Sequence, residues 1–104
     1  MADSAEPGRE TDLGVTLSEL IDLLIQHRCR DKADWLAARL TVLADSESTE
    51  ESLATARRDL HAIVLGMGGL TDLRLVDPAS GEYDIDATAR LDHLADRLYT
   101  LTRD

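Results

Sequence analysis

The chain is poor in the residues that staple, kink or anchor a small fold. Of its 104 residues one is cysteine, two are proline and three are aromatic, and phenylalanine is missing altogether. A lone Cys29 forms no intrachain disulfide, which excludes the cross-linked framework of small secreted domains. With Trp35, Tyr83 and Tyr99 as its aromatic side chains, any core has to be built from Leu, Ile, Val and Ala. No apolar run approaches the ~18 residues that mark a membrane-spanning helix. Residues 1–12 hold no apolar run either, so no signal peptide is expected. Cations are scarce: 11 Lys and Arg face 21 Asp and Glu, for a net charge of -10 at pH 7. Nucleic-acid binding needs clustered cations to displace phosphate counterions, and anionic membranes repel such a chain, so neither is expected as a partner.

What is present suits one small domain. The 43% apolar content is ordinary for a globular protein. Arginine greatly outnumbers lysine, and leucine and alanine are abundant, a composition typical of high-GC bacteria. A cytoplasmic bacterial protein is the expectation. Residues 1–12 read as a disordered acidic tail and 13–104 as a single helical domain.

The periodicity is helical. Thr16-Leu17-Ser18-Glu19 has the form of a capping box, with Val15 and Leu20 placed as a hydrophobic staple. Leu17, Leu20, Ile21, Leu24 and Ile25 then fall on one face of a first helix ending near Arg28 or Arg30. A second helix starts at Asp31 and buries Ala33, Leu36, Ala37, Leu40 and Leu43, with Trp35 on the flank. Ser48-Thr49-Glu50-Glu51 reads as a second capping box, opening a third helix with Leu53, Ala56, Leu60, Ile63, Val64 and Met67 on its apolar side. Glycines at 66, 68 and 69 stop it. The Asp77-Pro78…Gly81 chemistry indicates a tight turn, and a short β-hairpin of 72–76 against 82–85 is expected around it. A last helix is capped by Asp84 or Asp86 and buries Ala87, Leu91, Leu94, Ala95, Leu98 and Leu101. The fold class is therefore mainly α, with about four amphipathic helices and one hairpin at the α+β margin. Leu23 widens the apolar face of the first helix beyond one side, which leaves homodimer and monomer equally open.

Chemistry-bearing motifs are few. His27, His61 and His93 lie on different helices and none has a second histidine at i+3 or i+4, so no metal site is expected. Cys29 reads as a half-buried small residue. Gly66-Met67-Gly68-Gly69 follows a helix and not a strand, which argues against a phosphate cradle. The acids of 77–86 lack the glycine and closing glutamate of a calcium loop. Glu19 and Asp22, one turn apart, read as solvated carboxylates. No cofactor is expected, and catalysis is the minority reading. Charge is more informative. Residues 70–86 carry Asp72, Asp77, Glu82, Asp84 and Asp86 against Arg74 alone, whereas 87–104 are balanced. Such a patch attracts a basic partner and speeds encounter, although acidity also serves solubility.

Two segments carry a resemblance. His27-Arg28-Cys29-Arg30-Asp31-Lys32-Ala33-Asp34-Trp35-Leu36 and Gly66-Met67-Gly68-Gly69-Leu70-Thr71-Asp72-Leu73 are similar to a family of small bacterial proteins of unknown function. That family has a leucine–His…Trp segment followed by Gly-Met-Gly-Ser-Phe/Leu-Asn-Asp-Leu. Gly69 stands here for the Ser and Thr71 for the Asn, while Asp72 matches. The resemblance spans roughly residues 20–75 and implies an immunity-type, toxin-associated component in which Asp72 bonds the N–H groups of the glycine turn.

Composition and resemblance together lead to a non-catalytic, immunity- or antitoxin-like interaction module. Its expected partner is a basic protein, covered by Asp72, Asp77, Glu82, Asp84 and Asp86 with the help of Trp35. The alternatives are a small enzyme or ligand-binding protein with a helix-lined pocket at His27, Trp35 and His61, and a homodimeric structural component.

Overall fold

The computed structural model describes the backbone of residues 5–65 and 69–103, with side chains from residue 12 onward in those ranges. Four helices follow in order: α1 (Ala5–Gln26), α2 (Arg30–Ala44), α3 (Glu50–Leu65) and α4 (Ile85–Thr102). A 3-10 turn, Leu70–Asp72, lies in the connection from α3 to α4. Each helix packs on its chain neighbours and α4 closes the ring against α1, while the 3-10 turn sits on α3 and α4. The result is a four-helix bundle.

The buried stripes follow the helical period. Leu17, Leu20 and Leu24 of α1 meet Leu36 of α2, Leu60 and Val64 of α3, and Leu91, Leu94 and Leu98 of α4 in one cluster. Leu70 and Leu75 of the connection complete it. Leu23 is also buried in this cluster. Because α1 lies between α2 and α4, two of its faces are covered from within the chain, and Leu23 supplies no dimer seam.

Helix starts differ from their sequence signatures where a competing group takes over. α1 opens at Ala5, well before Thr16. Pro7 falls in its first turn, where a backbone N–H has no intrahelical partner to lose. Thr16 is buried inside the helix, and its hydroxyl accepts from Arg97 Nε of α4 at 3.2 Å. α3 is capped one residue later than the box suggested. Thr49 Oγ1 accepts from the Ser52 N–H at 3.0 Å, and Ser48 Oγ instead donates to the Val42 carbonyl at the end of α2 at 2.7 Å. For α4, Asp84 is the cap, accepting from the Ala87 N–H at 2.9 Å.

α1 ends in a Schellman turn without a glycine. Cys29 N–H donates to Leu24 O at 2.7 Å and Arg28 N–H to Ile25 O at 3.1 Å. Arg28 takes the left-handed conformation at φ 63.

The expected hairpin is not formed: among the described residues there is no strand. One antiparallel bridge, Val76 with Tyr83, stands where 72–76 and 82–85 were to pair. Three local competitors account for this. Residues 70–72 coil into the 3-10 turn, the Leu75 N–H donates to Thr88 Oγ1 at 3.1 Å, and Asp84 is held as the cap of α4. The turn itself follows its chemistry. Asp77 Oδ1 accepts from the Ala79 N–H, and Gly81, at φ 76, donates its N–H to Asp77 O at 2.7 Å. Met67 and the glycine segment at 66–68 lie outside the described residues.

Candidate functional site

The connection between α3 and α4 is fastened to the bundle at defined points. Thr71 Oγ1 donates to the Val64 carbonyl at 3.0 Å, which closes the end of α3. His27, just past the last turn of α1, places Nδ1 3.0 Å from Leu23 O and Nε2 3.1 Å from Asp84 Oδ2. A carbonyl and an ionised carboxylate only accept, so both contacts favour the protonated imidazole. The Leu23 carbonyl is the largest influence raising the His27 pKa above its usual value; Asp84 and then Asp77 add to it against the opposing effect of burial. Asp84 is held below the ordinary carboxylate range, first by the Ala87 N–H it caps and then by His27. One carboxylate thus caps α4 with one oxygen and ties it to α1 with the other.

The acids of the connection divide by role. Asp84 is structural, and Asp77 spends one oxygen on its own turn. Glu82 and Asp86 stand exposed, as does Asp72, which has a partner of its own. The expected contact of Asp72 with the glycine turn rests on 66–68, outside the described residues.

The connection also carries apolar side chains that sequence reasoning missed. Among the described residues six large apolar side chains stand exposed: Val15, Ile25, Leu65, Val76, Tyr83 and Ile85. Four of these six, Ile25, Val76, Tyr83 and Ile85, belong to the end of the bundle where the last turn of α1 meets the connection into α4 through His27 and Asp84. Leu65, by contrast, lies one turn from His61, which contacts the C-terminal turn of α4. Ile85 is 68% exposed, Leu65 63% and Tyr83 50%. The signal was the alternation Glu82-Tyr83-Asp84-Ile85-Asp86, which in a hairpin turns Tyr83 and Ile85 towards one covered face. Without a sheet to cover them, both meet solvent.

The other candidate residues lie apart from this end's contacts. Trp35 is partly buried against the core, with the Arg39 guanidinium carbon 4.2 Å from its ring centroid. Arg39 Nε in turn lies 3.6 Å from Asp59 Oδ2. This series joins α2 to α3 and gives Trp35 a packing role. His61 stacks on Tyr99 at 4.0 Å, and its Nδ1 lies 3.0 Å from Thr102 Oγ1. Since that hydroxyl donates to Leu98 O at 2.8 Å, His61 Nδ1 is the donor to it. His61 lines a groove of about 670 Å³ between α1, α2, α3 and the end of α4; neither His27 nor Trp35 does. The trio of the pocket alternative is therefore not assembled. His93 is exposed, and Glu19 pairs with Arg90 at 3.3 Å. No group of three or more His, Cys, Asp or Glu side chains converges as a metal site among the described residues. No described helix is long and apolar enough to cross a membrane. Burial pushes the Cys29 thiol up, away from the reactive thiolate.

Comparison with protein-family models, with curated proteins and with solved structures finds no match to this chain.

Proposed function

We propose that the chain is a non-catalytic protein-interaction module whose binding face is the end of the bundle formed by the α3–α4 connection. The observation that supports this is the concentration there of exposed Ile25, Val76, Tyr83 and Ile85 beside the carboxylates Asp77, Glu82 and Asp86. Apolar anchors beside a charged rim are how protein interfaces combine affinity with partner choice. The matching partner has an apolar site within basic surroundings. Masking of a basic protein in the manner of an immunity or antitoxin component is the concrete form of this reading, in keeping with the motif resemblance. Trp35 leaves the binding set, because Arg39 and the core engage it, and Asp84 leaves it as a structural cap.

The test places a photo-crosslinking side chain at Tyr83 and, in a second protein, at Val15, an exposed apolar side chain away from this end. Tyr83 should give a discrete adduct that Val15 does not. The triple substitution D77K/E82K/D86K should weaken capture at least tenfold and remove its salt dependence. Identical adducts from both positions, or charge reversal without effect, would refute the assignment. A second copy of this chain as the adduct, seen as a dimer in light scattering, would establish the homodimeric alternative instead.

A further inference from the structure

We infer that the groove at the opposite end of α4 is a binding site for a linear carboxylate amphiphile, a medium-chain fatty acid in chemical terms. α4 has 18 residues, so at about 1.5 Å per residue its two ends lie roughly 27 Å apart and the groove is independent of the acidic face. The groove encloses about 670 Å³, within the range of small-molecule sites of about 300–1,000 Å³. Its floor is apolar, with Leu13 from α1, Leu40 and Leu43 from α2 and Leu53 from α3. Gly14 belongs to the same wall, and a Cβ placed there would meet nothing within 4 Å, so the wall is open beside it.

The lining charge has the opposite sign to the rest of the protein. Arg57, Arg58 and Arg103 line the groove against one carboxylate, Glu50, in a chain of net charge -10. Arg57 and Arg103 have partners of their own, so the anion falls to Arg58. His61 forms part of the groove wall, set in place from two sides by its stack on Tyr99 and its bond to Thr102. An apolar trough with a cationic rim selects a single negative head on a flexible apolar tail. A neutral apolar ligand leaves the guanidinium unused, and a compact polyanion leaves the leucines uncovered. The same head and tail occur in an anionic membrane surface, but the net charge repels that surface and favours the free monomer.

Isothermal titration calorimetry with dodecanoate, kept below its micelle concentration, tests this on the full chain. One acid should bind per chain, and each two-carbon shortening should weaken binding about tenfold, since every methylene leaves water. R58E should weaken dodecanoate at least tenfold and leave dodecanol unaffected. A54W, at an exposed position on the groove wall, should block both ligands with the helical circular dichroism preserved. E82K/D86K should leave dodecanoate binding unchanged, which separates this site from the interaction face. Absence of dodecanoate binding, affinity untouched by R58E and A54W, or partition of the chain onto phosphatidylglycerol vesicles in place of uptake of the free acid would each overturn the assignment.

Discussion

His27 shows how a single residue couples two helix ends. Both acceptors it meets, Leu23 O and the Asp84 carboxylate, favour the protonated ring. The consequences for stability have a definite sign. His27 is raised above its ordinary 6.5, so its contribution is complete below that value and fades as pH rises through the raised value. Asp84 is lowered below its ordinary 3.8, so its contribution is complete above that value and is lost as pH falls through the lowered one. The pair thus contributes fully between these limits. His27→Gln should lower the melting temperature most near about pH 5 and progressively less above neutrality. A difference that grew with pH would show that the ring is neutral in the fold. Thr88 illustrates the same economy at a neutral group: its buried hydroxyl accepts the Leu75 N–H that the absent hairpin would have paired.

At the scale of the element, the turn between α1 and α2 holds the clearest local conflict. The Schellman geometry at 24–29 requires a left-handed residue, and Arg28 fills that place in the absence of glycine. A side chain there costs about 1–2 kcal/mol of backbone strain, part of which glycine returns as extra freedom of the unfolded chain. Arg28→Gly should therefore stabilise the protein by about 0.5–1 kcal/mol in urea unfolding, with an unchanged m-value. Stabilisation by Arg28→Ala to the same extent would point to lost charge and not to relieved strain. The absence of glycine at this position also explains why the end of α1 was misplaced in sequence. Position 28 carries no mark of a positive φ, whereas Gly81 after Asp77-Pro78 does, and that turn was legible. Caps behave alike: Ser48 and Thr49 both qualify in sequence, and only the nearness of the Val42 carbonyl assigns Ser48 to α2 and Thr49 to α3.

Across the whole molecule, the two ends of the bundle differ in character. One presents carboxylates and uncovered apolar side chains; the other presents an apolar groove rimmed by cations. Surface side chains that do not pack contribute little to folding, so Tyr83→Ser with Ile85→Ser should change stability by no more than about 0.5 kcal/mol. The same double substitution should reduce binding of a hydrophobic dye and abolish the Tyr83 crosslink. A loss of several kcal/mol would mean that these side chains belong to the core.

The amphipathic stripes of all four helices, a cap at Asp84 or Asp86 and the turn at Gly81 are determined by the sequence itself, because each depends on residues within a turn or two of one another. Leu91, Leu94 and Leu98 can be read as buried from their spacing alone. Tertiary structure alone decided which surfaces remain open. Thr16 meets Arg97 across 81 positions and His27 meets Asp84 across 57, and no local pattern encodes either pair. Leu23 is covered because α1 has helices on two sides, and Tyr83 and Ile85 are uncovered because Leu75 turns its N–H to Thr88 and not to a strand. Burial depends on what packs from elsewhere in the chain, and only the folded arrangement supplies it.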